Sequence, residues 1–353
     1  MYTRPPFHRV VAHSFSAKGT GSCRGPFLLL LSQKAEGATR EVSAGRLCGS
    51  LGYNGKGVCS QGLMVRVLLR KIGILLETIK FEHTVFALPF ALLSALLAAK
   101  GIPDGRTLGW ILVAMVGARS AAMAFNRIAD AHYDSLNPRT ANRALPRGLL
   151  TARQLAAFTA VSAAVFVFAA WQLNPLCFAL SPVALLWILG YSYTKRFTAL
   201  SHLWLGLSLG IAPVGAWLAV QGRFDLVPIL LALAVMLWTA GFDIIYSLQD
   251  VAFDRQMGLR SLPQMLGEAR ALWLSRAMHL GMVLLLLLVG KVAQLSWGYY
   301  LGVAMAATLI AYEQSLVKPN DLSRVNLAFF TLNGWVSVLL FVFTVADWWL
   351  FWR

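Results

Sequence analysis

Five of the fifteen acidic residues in this 353-residue chain fall in two short stretches of matching spacing. Asn126, Asp130 and Asp134 follow one another at four-residue steps. Tyr246, Asp250 and Asp254 repeat the pattern, with Asp243 three residues ahead. On an α-helix, positions i, i+4 and i+8 share a face, so each stretch reads as a polar stripe. Like charges at that spacing repel, and carboxylates beside hydrocarbon are costly, so the stripes need a counter-charge. Solvation of a helix end by neighbouring arginines would supply one but leaves the duplication unexplained. A divalent cation accounts for both, because Mg²⁺ takes oxygen ligands, commonly one or two carboxylates completed by substrate phosphates. Two such stripes facing across a cavity can hold Mg²⁺ bridged to a diphosphate.

The residues after each stripe repeat as well. Arg143-Ala-Leu-Pro146 follows the first and Arg260-Ser-Leu-Pro263 the second. This reads as two copies of one helix–loop unit, and polar sites in membrane bundles are often built between duplicated halves. Arg143 in the first loop, with Lys195 and Arg196 in the stretch Tyr193–Phe197, are basic groups suited to phosphate oxygens. The cysteines Cys23, Cys48, Cys59 and Cys177 show no paired spacing, which argues against a zinc site or a disulfide framework.

The elements that must position these groups are membrane helices. The chain is 58% hydrophobic and only 13% charged, about half the charge of a soluble domain. Apolar runs long enough to cross a hydrocarbon core of about 30 Å recur from Phe81 onward. They predict an all-α membrane protein of about nine spans, near 81–99, 108–129, 152–173, 175–193, 203–220, 226–248, 270–289, 295–315 and 327–349. The net charge of +16 does not indicate nucleic acid, because the basic residues lie between apolar runs, where they orient helices and meet anionic lipid. Loops and helix ends after the even-numbered spans hold Arg139, Arg143, Arg147, Arg153, Lys195, Arg196, Arg255, Arg260, Arg270, Arg276, Lys318 and Arg324. The other side has Lys100, Arg106, Arg223, Lys291 and Arg353. That asymmetry predicts a cytoplasmic N-terminus, with both acidic stripes emerging on the cytoplasmic side.

Residues 1–63 are rich in Gly, Ser and Arg and carry only Glu36 and Glu41 as acids. They read as a disordered basic leader or an over-long start, ahead of a membrane domain spanning 64–353 that opens at Met64. A mitochondrial transit peptide is the rival reading of that leader.

Taken together, the residues resemble the UbiA superfamily of intramembrane aromatic prenyltransferases. Its first motif, Asn-Asp-x-x-Asp-x-x-x-Asp, is matched by Asn126, Asp130 and Asp134, and its second by Tyr246, Asp250 and Asp254. The stretches Arg139–Gly148 and Tyr191–Thr198 are also family-like, so the likeness covers roughly residues 70–350. One departure is Arg127, which stands where the family usually has its leading Asp. Lys80–Ala95 and Phe125–Arg143 look like the 4-hydroxybenzoate polyprenyltransferases of quinone biosynthesis, and also like the 1,4-dihydroxy-6-naphthoate enzymes of the futalosine menaquinone route.

The resemblance implies a helical bundle with cytoplasmic cap loops in a bacterial inner membrane, the mitochondrial inner membrane being the alternative. It implies Mg²⁺-assisted transfer of a polyprenyl group from an isoprenyl diphosphate to an aromatic acid. Asp130, Asp134, Asp250 and Asp254 would hold the metal. Asn126, Arg143 and Lys195 would serve the diphosphate, and Arg196 the carboxylate of the acceptor. Tyr246 and Asp243 would steer the acceptor or its proton, whereas His83 and His132 read as structural. A secondary transporter for an anionic substrate is the competing class, but it would place its charges at the bilayer midplane rather than at one rim.

Overall fold

The computed structural model describes residues 73–78, 86–319 and 321–351. The leader 1–63, His83 and the beginning of the span expected at 81 lie outside the described residues. We number the nine long helices α1 (Leu88–Ala99), α2 (Gly105–Ala129), α3 (Ala152–Leu173), α4 (Pro175–Gly190), α5 (Ser201–Gln221), α6 (Leu226–Ser247), α7 (Glu268–Val292), α8 (Trp297–Leu316) and α9 (Asn333–Phe351). Among the described residues, each overlaps one of the expected spans. Seven of the nine segments are long and apolar enough to cross a membrane; α1, at 12 residues, and α8 are the exceptions. No strand occurs among the described residues beyond one isolated bridge between Lys318 and Asp321.

Local chemistry sets the helix ends. Asp104 starts α2 by accepting a hydrogen bond from the Thr107 amide at 3.0 Å, and Thr151 and Gln154 form a reciprocal capping box on α3. Asn174 caps α4, whose first residue is Pro175, a position that needs no amide donor. The Asn174 side chain also donates to the Leu218 carbonyl at 2.7 Å, tying the α3–α4 corner to the end of α5. Helix α5 ends at Gly222 with φ 66°, a left-handed turn that glycine adopts freely.

The centre of the bundle is α6. Its Leu231, Val235, Trp238 and Phe242 pack with Phe90 and Leu93 of α1, Met282 and Leu286 of α7, Tyr299 and Val303 of α8, and Leu340 of α9. Helix α5 lies against α6 closely enough that a Cβ on Gly206 would stand 2.3 Å from the Met236 carbonyl oxygen, and one on Gly210 would stand 2.7 Å from that of Ala232. Small residues at such a seam let backbones approach, which is how apolar helices associate where lipid offers no hydrophobic drive. Trp171, Trp273, Leu186 and Leu284 face outward, as expected of lipid-facing bulk. Trp238 and Phe90, by contrast, fill the core.

Candidate active site

Both acidic stripes sit where a long helix breaks. Helix α2 stops at Asp130, whose φ of −95° and ψ of 7° leave the helical range, and a short helix, Ala131–Leu136, resumes beyond it. Helix α6 runs into a 3₁₀ turn at Leu248–Asp250, and Asp250, with φ −104° and ψ 0°, precedes the short helix Val251–Gln256. The middle aspartate of each motif thus adopts nearly the same bend. Each stripe is bent rather than straight, and the duplication seen in the sequence extends to the backbone.

The bends bring the two motifs together through their loops. From the loop after the first motif, Arg139 grips Asp250 with Nε on Oδ1 at 3.0 Å and Nη2 on Oδ2 at 2.6 Å. Its Nη1 donates to the Tyr246 hydroxyl at 2.9 Å. Asn137 adds a bond to Asp250 Oδ1 at 3.2 Å. Arg143 turns back on its own motif, donating to both oxygens of Asp134 at 2.6 and 2.8 Å. Asn126 donates to Asp130 at 2.9 Å.

The 3₁₀ segment Tyr191–Arg196 joins both motifs from a third side. Lys195 Nζ lies 3.9 Å from Asp254, and Arg196 Nη2 lies 3.8 Å from Asp130 while donating to the Ala129 carbonyl at 2.6 Å. Arg260, after the second motif, fixes this segment by hydrogen bonds to the carbonyls of Lys195 and Phe197, both at 2.7 Å. Burial, reinforced by the neighbouring charge of Asp134, holds the Asp130 carboxyl above the usual carboxylate range.

Beneath this polar cluster lies a cavity of about 1160 Å³ that reaches between α2, α4, α5 and α6. Its walls are largely apolar, with Met115, Phe166, Trp187, Phe242, Phe329 and Phe330 among them. Polar groups that reach it include Arg119, Asn126, Arg127, Arg139, Arg143, Asp243 and Tyr246, with Glu77, Asn142, Arg147, Tyr191 and Gln249 also on the wall. The four motif aspartates do not line the wall; Asp134 and Asp250 stand behind Arg143 and Arg139 at its rim. Among the described residues no three acidic, histidine or cysteine side chains converge on one point. The donors are nonetheless all oxygens, and Asp254 Oδ2 is buried without a hydrogen-bond partner, which suits a hard cation that also needs phosphate oxygens.

The sequence profile of the UbiA prenyltransferase family matches residues 87–351. The chain belongs to that family. It is therefore a prenyltransferase enzyme and a multi-pass membrane protein. The 4-hydroxybenzoate octaprenyltransferase of Tolumonas auensis is 32% identical over 245 residues, 69% of this chain and 85% of that protein. That of Aeromonas hydrophila is 33% identical over 251 residues, 71% of this chain and 87% of the relative. The apo structure of a UbiA homologue from Aeropyrum pernix superposes with a TM-score of 0.70 at 37% identity, covering 75% of this chain and 98% of that one. A UbiA homologue from Archaeoglobus fulgidus, solved bound to GPP and Mg²⁺, shares the fold with a TM-score of 0.60 at 20% identity, over 78% and 99% of the two chains.

Within this UbiA bundle the expected site residues separate into groups. Asn126, Asp130, Asp134, Tyr246, Asp250, Asp254, Arg143, Lys195 and Arg196 gather at one end of the bundle. Asp243 faces the cavity and pairs with His202 of α5, Nδ1 to Oδ2 at 2.6 Å. His132 is exposed. Arg127, the departure from the family motif, is buried and donates to the Thr78 carbonyl at 3.4 Å, so it docks the segment 73–78 on α2. Sequence reasoning missed Arg119 and His202 as site residues, and it offered the loop 137–146 without singling out Asn137 or Arg139. Arg139 reads in the sequence as an orientation charge and as one of the basic residues of the same family-like loop as Arg143, with no partner assigned to it. Arg119, an arginine within an apolar span, is costly there and is by that fact a pointer to a site.

Proposed function

We propose that the enzyme transfers a polyprenyl group from an isoprenyl diphosphate to 4-hydroxybenzoate, in a Mg²⁺-dependent step of quinone biosynthesis. The observation that carries this reading is the placement of a duplicated carboxylate–arginine cluster over a large apolar cavity. The names of the relatives support the acceptor, and the GPP and Mg²⁺ of the A. fulgidus homologue support the donor and the metal. Asp130, Asp134, Asp250 and Asp254 would hold the metal. When bound, Mg²⁺ would neutralise the leaving diphosphate and so ease heterolysis of the allylic C–O bond.

The chain's own residues do the rest. Arg139 and Arg143 reach the cavity and can exchange their carboxylate partners for phosphate oxygens, with Lys195 and Asn126 beside them. The apolar walls take the prenyl chain and exclude water that would capture an allylic cation. The acceptor's carboxylate goes to Arg119, which lines the cavity two turns below Asn126. Arg196 is less well placed, since its guanidinium serves the Ala129 carbonyl and stacks on Tyr193 and Tyr133. With the basic loops on the cytoplasmic side, the site opens toward the cytoplasm of a bacterial inner membrane, and residues 1–63 act as a dispensable leader.

Washed membranes containing the enzyme, given Mg²⁺ and a labelled polyprenyl diphosphate, test the acceptor. Label should enter 4-hydroxybenzoate in preference to 1,4-dihydroxy-6-naphthoate. Preference for the naphthoate would move the enzyme to the menaquinone route and overturn the proposed acceptor.

A further inference from the structure

His202 sits near the start of α5, fully buried, with Nδ1 2.6 Å from Asp243 Oδ2. Its other ring nitrogen, Nε2, is buried and has no hydrogen-bond partner. Nδ1 is the ring's one hydrogen-bonding contact, and a proton on it would be donated to Asp243. Among the described residues, no protein group hydrogen-bonds the second Asp243 oxygen, Oδ1, and the residue lines the cavity. A largely buried carboxylate held by one oxygen and open at the other is arranged to receive a proton. Nothing in the metal and diphosphate cluster uses this pair. Asp243 stands two helical turns before Asp250 and makes no bond to Arg139, Arg143 or Lys195.

Resting on the acceptor reading above, we propose that Asp243 is the base that rearomatises the prenylated ring and that His202 is its positioning residue. The allylic C–O bond breaks first and diphosphate leaves with the electron pair; a π electron pair at the ring carbon ortho to the hydroxyl then forms the new C–C bond to the allylic cation. The C–H electron pair at that ring carbon then returns to the ring, and the proton passes to Asp243 Oδ1, from which water later removes it. His202 keeps Oδ2 occupied and the carboxylate plane fixed, so that Oδ1 meets the ring edge.

The test uses the full-length enzyme in membranes and 4-hydroxybenzoate deuterated at both positions ortho to the hydroxyl. In the wild type, proton loss follows the slow ionisation, so deuterium changes the rate little. Asp243→Asn should lose roughly 10²-fold or more in kcat, the usual range for removing a general base. His202→Phe should lose roughly tenfold, and what activity remains should show a clear primary isotope effect, because proton removal becomes slow. His202→Asn, whose amide can donate from the place of Nδ1, should recover most of the rate and abolish the isotope effect. The proposal is overturned if His202→Phe stays fully active. It is overturned equally if its activity falls with no isotope effect, or if its loss lies wholly in the KM of either substrate. A wild type that turns over the naphthoate but not 4-hydroxybenzoate would sink the acceptor reading instead; the same isotope comparison on the deuterated naphthoate would then decide the role of Asp243.

Discussion

Arg139 spends all three guanidinium nitrogens on the second motif, two on Asp250 and one on Tyr246. A lysine there keeps the charge but loses the planar fork, so Arg139→Lys separates charge from geometry. Hydrogen bonds to charged groups are worth about 1.5–3 kcal/mol, so the substitution should raise the KM for the prenyl diphosphate by roughly 10- to 100-fold. The KM for the acceptor should stay within about threefold of the wild type, less than one such bond is worth. Equal rises in both would show a collapse of the loop rather than a lost phosphate contact. Steady-state kinetics on both substrates also divides Arg119 from Arg196. Arg119→Lys should raise the acceptor KM selectively, while Arg196→Lys should act through Asp130 and lower kcat. Acceptor KM moving with Arg196 and not with Arg119 would reverse that assignment. Of the site residues, the aspartates were legible because acids are scarce in this chain and their spacing repeats. The partners of Arg139 and Asn137, and the role of His202, were not, because they depend on which loop or helix these residues meet, and a single sequence does not carry that information.

At the scale of elements, position and type were readable, and the breaks were not. Apolar runs place the nine long helices found among the described residues, but no glycine or proline marks the bends at Asp130 and Asp250. The α5–α6 seam shows the same limit. Gly206 and Gly210 look like ordinary small residues in an apolar span until their distance to the α6 carbonyls is known. Gly206→Ala forces a methyl group onto the Met236 carbonyl and should destabilise the protein by about 1–3 kcal/mol, read as a lower unfolding temperature in detergent. Gly109→Ala in α2 is the control, since a Cβ added there would meet no atom within 4 Å. There the better helix propensity of alanine should hold or raise stability. Equal losses at both sites would mean that the seam is not closely packed.

For the whole molecule, membrane character follows from composition alone, and the number of spans less directly, since α1 has only 12 residues. The proposed chemistry draws on no residue of 1–63. A chain begun at Met64 should insert and keep its prenyl transfer activity, and correct insertion without activity would give the leader a function. The central claim is that paired aspartates, through Mg²⁺, drive prenyl transfer into the cavity beneath them. Its most direct test is labelled prenyl transfer to 4-hydroxybenzoate in washed membranes, with EDTA, with Mg²⁺ restored, and with Asp250→Asn. EDTA should abolish transfer and Mg²⁺ should restore it. The Asp250→Asn enzyme should fall by roughly 10³-fold, consistent with the several kcal/mol of charge stabilisation a bound metal provides. Full transfer in the presence of chelator, or by the Asp250→Asn enzyme, would contradict the account.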